Sequence, residues 1–160
     1  MDGLLFALTL VAALGCGLIA GVFFAFSTFV MRGLARLPSP QGIAAMQSIN
    51  VTAITPAFMV ALFGTAVACA AVAVAALFRL DEDFAIFLLI GGALYPVGTI
   101  AVTMAFNVPR NNALATLEPG GAEAAGRWDR YVAEWTAWNT VRGVAALAAA
   151  ASLTIALAAG

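Results

Sequence analysis

The residues with the clearest chemical potential lie on the last apolar segment of the chain. Trp135, Asn139 and Arg142 are separated by steps of four and three residues, so a helix places them on one face. Arg142 lies at least one turn inside an apolar run, where an unpaired charge is costly. We therefore expect its guanidinium to face the interior of a helical bundle; the alternative is that it snorkels towards the membrane surface. The amides expected to meet it are Asn50, Asn107, Asn111 and Asn139.

Together these residue types predict a half-buried pocket with hydrogen-bond donors, aromatic walls and one fixed positive charge. Such a pocket suits a flat, apolar ligand with an oxygen atom that is, or becomes, anionic. The arginine would stabilise the negative charge, the amides would orient oxygen atoms, and the aromatic faces would stack on the rings. The predicted catalytic residues are Arg142, Asn139, Asn107 and Asn111. The predicted substrate-binding residues are Gln47, Asn50, Trp135, Trp138 and Tyr131.

These residues also have structural interpretations that the sequence leaves open. The aromatic residues of Trp128–Trp138 can form a belt at the level of the lipid headgroups. The segment Asn107–Pro109 can stop a helix, with the asparagine capping carbonyl groups. Gln47 and Asn50 can hold the first connection against the bundle.

Two acidic residues near the predicted pocket are candidate proton acceptors. They are Glu134 and Asp129. Their alternative role is to pair with Arg130 or Arg127 on a solvated helix face.

The residue types that are missing narrow the chemistry further. The chain has no His, and its seven basic residues are all Arg. The absence of His excludes histidine-ligated haem, zinc and copper and histidine general bases. The absence of Lys excludes Schiff bases and a P-loop lysine. Cys16 and Cys69 lie in separate apolar runs, so we expect each to be a small buried hydrophobe. We predict neither a cofactor nor a metal.

The elements that position these residues must lie in a membrane. Of the 160 residues, 64% are hydrophobic and 9% are charged, whereas soluble domains are about 45–50% apolar and about 25% charged. A chain of this size cannot hide so much apolar surface from water. The formal net charge of −1 offers no basic field for nucleic acid. The predicted partners are membrane lipid and a small aromatic or lipophilic substrate, and a homo-oligomer is possible.

Four apolar runs are long enough to cross a bilayer, which takes about 20 residues. They predict one all-α domain over residues 1–160, an integral membrane four-helix bundle with spans at about 3–31, 56–78, 84–106 and 137–159. Ser39-Pro40 is typical of the N-cap and first residue of a short helix between the first two spans, with a kink or a restart at Pro56. From Ala122 onwards there is no Pro, so the last helix should extend about four turns beyond the membrane.

Two stretches of small residues allow close approach between helices. Gly17–Gly21 is a GxxxG motif, and Ala145–Ala151 is rich in alanine. We expect both to form seams inside the bundle; the alternative for the GxxxG motif is a dimer interface.

The distribution of arginine predicts the orientation of the bundle. One side of the alternating connections carries five arginines, with Arg142 close by, and the other side carries only Arg79; the five are Arg32, Arg36, Arg110, Arg127 and Arg130. Arginine-rich connections remain in the cytoplasm. We therefore expect a multi-pass protein of the inner or plasma membrane with both termini outside the cytoplasm. The short helix and the extension of the last helix would be cytoplasmic.

Four segments, in this order, carry a family resemblance. They are Gly21-Val22-Phe23-Phe24-Ala25-Phe26, Met46-Gln47-Ser48-Ile49-Asn50, Asn107-Val108-Pro109-Arg110-Asn111-Asn112-Ala113-Leu114, and Trp135 with Asn139 and Arg142. With these segments the chain resembles, over nearly its whole length, the anthrone oxygenase-like family of small four-span membrane proteins.

The resemblance implies an enzyme that oxidises an anthrone to an anthraquinone with O₂, without metal or flavin. It implies loss of a proton from the anthrone methylene, attack of O₂ on the carbanion and loss of water. In that scheme Arg142 steadies a phenolate-like oxygen, Trp135 stacks on the rings, and the substrate is held by Asn50, Asn107, Asn111 and Asn139. The alternative is a non-catalytic membrane protein, or an accessory subunit, that binds a lipid, quinone or aromatic ligand in the same pocket.

Overall fold

The computed structural model describes residues 1–160, and its regular elements are all helices. They are α1 (Gly3–Ala35), α2 (Ser39–Thr52), α3 (Pro56–Leu77), α4 (Ala85–Ala115) and α5 (Ala124–Ala159). All except α2 are long and apolar enough to cross a membrane. The all-α bundle of four spanning helices that the sequence predicts is therefore confirmed.

The four long helices form a ring in which α1 and α4 each pack against both α3 and α5. The core between them is built from small and branched side chains, including Ala12, Ile19, Val72, Leu88 and Leu153. Many Leu, Val and Phe side chains also remain exposed on the outside of the ring. Helices that are apolar on every face belong in hydrocarbon rather than in water.

A second apolar cluster lies at the end of the bundle that carries Arg32, Arg36, Arg110, Arg127 and Arg130, here called the arginine-rich end. Met46 of α2, Leu114 of α4 and Trp128 of α5 pack there. Helix α5 has 36 residues and therefore a length of about 54 Å, against about 30 Å of hydrocarbon. The predicted long last helix is confirmed, and it contributes side chains to both clusters.

Two helices end later than the apolar runs predict. Helix α1 continues to Ala35 and α4 continues to Ala115, so the interpretation of Asn107–Pro109 as a helix stop is wrong. A π-helical turn at Thr103–Asn107 ends two residues before Pro109. A wider turn of this kind relieves the clash and the lost hydrogen bond that a proline brings to a helix interior.

The positions at which α2 and α3 begin test two predictions, a serine cap at Ser39 and a kink or restart at Pro56. Ser39 is the first residue of α2, and Pro38 occupies the cap position, so the predicted serine cap is wrong. Helix α3 begins anew at Pro56, where Thr55 Oγ1 accepts a hydrogen bond of 3.3 Å from the Phe58 amide. The chain therefore restarts at Pro56 and does not kink there, because the cap ends one hydrogen-bonding pattern and begins another.

The close contacts between helices do not involve the GxxxG motif. A Cβ atom added at Gly17 or Gly21 meets no atom within 4 Å, so the expected seam inside the bundle is wrong at these glycines. The alanine-rich stretch Ala145–Ala151 does form a seam. A Cβ atom added at Gly91 would lie 3.1 Å from the Ala149 carbonyl oxygen.

Cys16 and Cys69 are completely buried between α1 and α3, as expected for small hydrophobes. Their Sγ atoms are 3.5 Å apart, within the range of a weak hydrogen bond. Sequence spacing does not reveal this contact, because the two residues belong to different helices.

At the end of the bundle opposite the arginine-rich end, Asp2 makes two polar contacts. Its carboxylate accepts a hydrogen bond from the Leu5 amide at 2.9 Å and one from Arg79 at 2.7 Å. These two contacts, the backbone amide first, hold the pKa of the Asp2 carboxyl below its ordinary value. The ion pair joins the start of α1 to the connection between α3 and α4.

Candidate functional site

A polar cluster surrounds the guanidinium of Arg142 inside the bundle. The side chain is only 7% exposed, so it faces the interior and does not snorkel. Its Nε and Nη2 atoms both donate to Asn139 Oδ1, at 3.2 and 2.8 Å, and Nη1 donates to Thr103 Oγ1 at 3.1 Å. Of the four amides expected to meet Arg142, only Asn139 makes a hydrogen bond to it.

The charge of Arg142 has no counterion. The ion pairs of the structure involve Arg79, Arg110 and Arg130, and none includes Arg142. A guanidinium carries five N–H groups, of which Asn139 and Thr103 occupy three. A buried cation is normally paired with an anion, so the cluster combines an uncompensated positive charge with unused donors.

Aromatic rings partly replace the missing counterion. The Arg142 Cζ atom lies 4.0 Å from the centroid of the Phe23 ring and 5.2 Å from that of Trp135. Both distances fall within the range of a cation–π contact, which stabilises a desolvated cation but leaves its net charge in place.

Asn139 connects Arg142 to α1. The side chain is fully buried, and its Nδ2 atom donates to the Phe23 carbonyl and to Ser27 Oγ, both at 2.7 Å. Ser27 belongs to a π-helical turn, Phe26–Val30, and such turns are frequent at functional sites. The amide of Asn139 is therefore fixed in the orientation that presents its oxygen to the guanidinium.

Asn107 and Asn111 of α4 meet Trp135. Asn107 Nδ2 donates to the Trp135 carbonyl at 3.2 Å, and Asn111 Oδ1 accepts from Trp135 Nε1 at 2.8 Å and from the Tyr131 hydroxyl at 2.9 Å. Asn107 Oδ1 is buried and has no hydrogen-bond partner. An acceptor left unpaired in an apolar interior is costly, which makes this atom a candidate contact for a ligand.

The structure separates Trp138 and Gln47 from the cluster. The Trp138 ring stacks on Phe106 at a centroid distance of 3.6 Å. Gln47 Nε2 donates to the carbonyls of Leu114 and Leu117 at 2.9 and 3.0 Å, and so ties α2 to the end of α4. The interpretation in which Gln47 holds the first connection is therefore the one that its contacts support.

Three further predicted residues lie near the arginine-rich end. Asn50 is half-buried beside Tyr131. Glu134 pairs with Arg110 at 2.9 Å and with Arg130 at 3.1 Å, and Asp129 is exposed. The ion-pair role that the sequence left open for Glu134 is the observed one, and no carboxylate forms a hydrogen bond or an ion pair with Arg142.

Sequence reasoning missed Thr103 and Ser27 as members of the cluster. Thr103 lies four residues before Asn107, so helical spacing alone could have placed both on one face. Ser27 lies four residues after Phe23, about one helical turn, but its contact with Asn139 depends on how α1 packs against α5. No group of three or more His, Cys, Asp or Glu side chains is placed to hold a metal ion.

Replacing Gln47 by Ala should loosen α2 without altering the polar cluster. Two hydrogen bonds to helix-end carbonyls would be lost, and each such bond contributes about 0.5–1.5 kcal/mol. We expect faster proteolysis within Ser39–Thr52 and unchanged ligand affinity in the purified protein. A loss of ligand affinity with no change in the rate of proteolysis would show that Gln47 contributes to the binding site.

The chain matches the family model described as anthrone oxygenase over residues 55–152, more than half of its length. This range contains Thr103, Asn107, Trp135, Asn139 and Arg142. No curated protein and no solved structure shows a significant match to the chain. Its four spanning helices and the extent of the match establish that this chain belongs to the anthrone oxygenase family.

Proposed function

We propose that this protein is a cofactor-free membrane oxygenase that acts with O₂ on an anthrone or another flat phenolic or polyketide substrate. The observation that carries the proposal is the buried guanidinium of Arg142, which has no anionic partner. An anionic oxygen of a bound substrate would compensate that charge in a medium where the interaction is strong. Membership of the anthrone oxygenase family supports an anthrone as the substrate.

In the proposed reaction the methylene carbon of the anthrone first loses a proton. The electron pair of the broken C–H bond delocalises over the rings onto the carbonyl oxygen, where Arg142 stabilises the negative charge. The carbanion then adds O₂, and protonation gives a hydroperoxide. Loss of water from the hydroperoxide leaves the second carbonyl group, so one atom of O₂ enters the quinone and the other leaves as water.

The other members of the cluster have supporting roles in this proposal. Asn139 positions Arg142, and Trp135 offers a ring face held in place by Asn111. The free Oδ1 atom of Asn107 accepts a hydrogen bond from a phenolic hydroxyl. Since no carboxylate contacts Arg142, we propose that water accepts the methylene proton. Arg142 makes removal of this proton easier by stabilising the anion that remains.

The proposal is tested by O₂ uptake with the purified protein in nanodiscs and an emodin-type anthrone. Empty nanodiscs are the essential control, because anthrones oxidise spontaneously in air. A rate well above this background, with one O₂ consumed for each quinone formed, supports a cofactor-free oxygenase. A rate equal to the background contradicts it, and retention of unchanged ligand would then favour the non-catalytic binding protein.

We also propose that the arginine-rich end faces the cytoplasm. Five arginines at that end against Arg79 at the other support this orientation. Fusion of a reporter active only outside the cytoplasm to Gly160 should give a signal, and the same reporter inserted after Gly120 should be silent. The reverse pattern would overturn the proposed topology.

A further inference from the structure

A groove of about 410 Å³ runs along the outside of the bundle between α1 and α5. Its sides are Phe23 and Phe24 from α1 and Val144 and Leu147 from α5. Ligand sites for small molecules have volumes of about 300–1,000 Å³, so the groove is large enough for a fused aromatic ring system. The groove opens to the surface that α1 and α5 present to lipid.

The groove exists because its floor lacks side chains. Gly17 and Gly21 line it, and a Cβ atom added to either meets no atom within 4 Å. Gly143 lines it from α5, where an added Cβ would lie 3.2 Å from Phe23 Cβ. The GxxxG motif therefore supplies a flat, open surface and makes no helix contact within this chain.

One end of the groove is polar and leads to Arg142. Ser27 Oγ and Thr140 Oγ1 lie there, 2.9 Å apart, and Asn139 Nδ2 donates to Ser27 Oγ. The oxygen of the same Asn139 amide accepts from the Arg142 guanidinium. Phe23 gives a second connection, since this residue lines the groove and the centroid of its ring lies 4.0 Å from the Arg142 Cζ atom.

We propose that this groove receives the flat phenolic substrate directly from the bilayer. In this entry position the rings lie on the glycine floor, and the oxygen-bearing edge points towards Ser27, Thr140 and Asn139. The substrate then passes Asn139 to reach Arg142, whose guanidinium lies behind that amide. The assignment rests on the proposed function. The polar end decides the occupant, because the hydrocarbon tail of a lipid has no polar group to place beside the Ser27 and Thr140 hydroxyls, whereas a phenolic hydroxyl can donate a hydrogen bond to them.

The open space above the glycines makes a selective test possible. Gly21→Leu and Gly17→Leu fill the groove without a clash inside the bundle. Gly33→Leu is the matched control, because it lies on the same helix, has equally open surroundings and does not line the groove. Two groove variants are included so that a folding failure of one does not end the experiment.

Each variant is measured in nanodiscs for binding of a hydroxylated anthraquinone, by quenching of tryptophan fluorescence, and for anthrone oxidation. We expect both groove variants to bind the quinone at least about tenfold more weakly, a change of about 1.4 kcal/mol, with a matching rise in KM for the anthrone. Gly33→Leu should stay within about twofold of the wild type, which is about 0.4 kcal/mol. Equal quinone binding by wild type and both groove variants would overturn the proposal.

Two further outcomes distinguish a substrate groove from a dimer interface, and the groove assignment from the oxygenase function. If the groove variants change the oligomeric state while quinone binding is unaffected, the groove is an interface between copies of the chain and the proposal is wrong. If quinone binding depends on the groove but anthrone oxidation stays at background, the groove assignment is supported and the proposed oxygenase function fails.

Discussion

Arg142→Met should abolish O₂-dependent turnover while leaving the bundle at least as stable as the wild type. The substitution removes the group proposed to stabilise the substrate anion, and loss of one such contact lowers kcat by about 10²- to 10³-fold in other enzymes. Stability should not fall with activity, because the cost of holding an uncompensated charge in an apolar interior exceeds the cost of about 1–3 kcal/mol for leaving Asn139 Oδ1 without its donors. The two quantities are measured as quinone formation in nanodiscs and as unfolding by SDS titration in mixed micelles.

The matched control is Arg130→Met, which removes an arginine that is 81% exposed at its side chain and pairs with Glu134 at the surface. This variant should keep wild-type turnover. If Arg142→Met retains full turnover, the guanidinium has no part in the reaction. If it fails to fold, the buried charge serves the structure of the bundle, and Arg142→Lys then becomes the informative variant.

Asn139→Leu should be the most destabilising substitution in the polar cluster. It leaves the Phe23 carbonyl without its side-chain donor and removes the acceptor of two guanidinium N–H groups. An unsatisfied buried group costs about 1–3 kcal/mol, more when it is charged, so we expect the free energy of unfolding to fall by about 3 kcal/mol. The double variant with Arg142→Met should recover much of this loss, because the charge that needs the amide is gone.

Asn139→Asp is the informative companion to this variant. It preserves the shape of the side chain but supplies the counterion that Arg142 lacks. We expect a folded but less stable protein, because a carboxylate cannot donate to the Phe23 carbonyl as the Asn139 amide does. Turnover should fall as strongly as in Arg142→Met, because a neutralised guanidinium no longer attracts the substrate anion. An active Asn139→Asp enzyme would show that the uncompensated charge is not the catalytic feature.

Helical periodicity and the free energy of transfer into lipid were sufficient to predict the membrane bundle and the position of Arg142. A charge within an apolar run faces the interior because lipid offers it no partner, and Asn139 lies on the same face because three residues nearly complete a turn. The length of α5 followed from the lack of proline after Ala122. These features depend on one segment at a time, and local composition determines them.

The partners of those residues were decided by tertiary structure. Periodicity places Trp138 at the edge of the helix face that carries Trp135, Asn139 and Arg142. Only the packing of α4 against α5 shows that the Trp138 ring stacks on Phe106 and not on a ligand. The π-helical turns shift which residues of α1 and α4 face α5, so the contacts of Ser27 with Asn139 and of Thr103 with Arg142 could not be predicted. The same holds for Gly17 and Gly21, because their motif indicates close approach to some surface and does not say which. Local sequence determines which face of a helix is polar; the relative rotation of neighbouring helices, set by side-chain packing along their whole lengths, decides what that face meets.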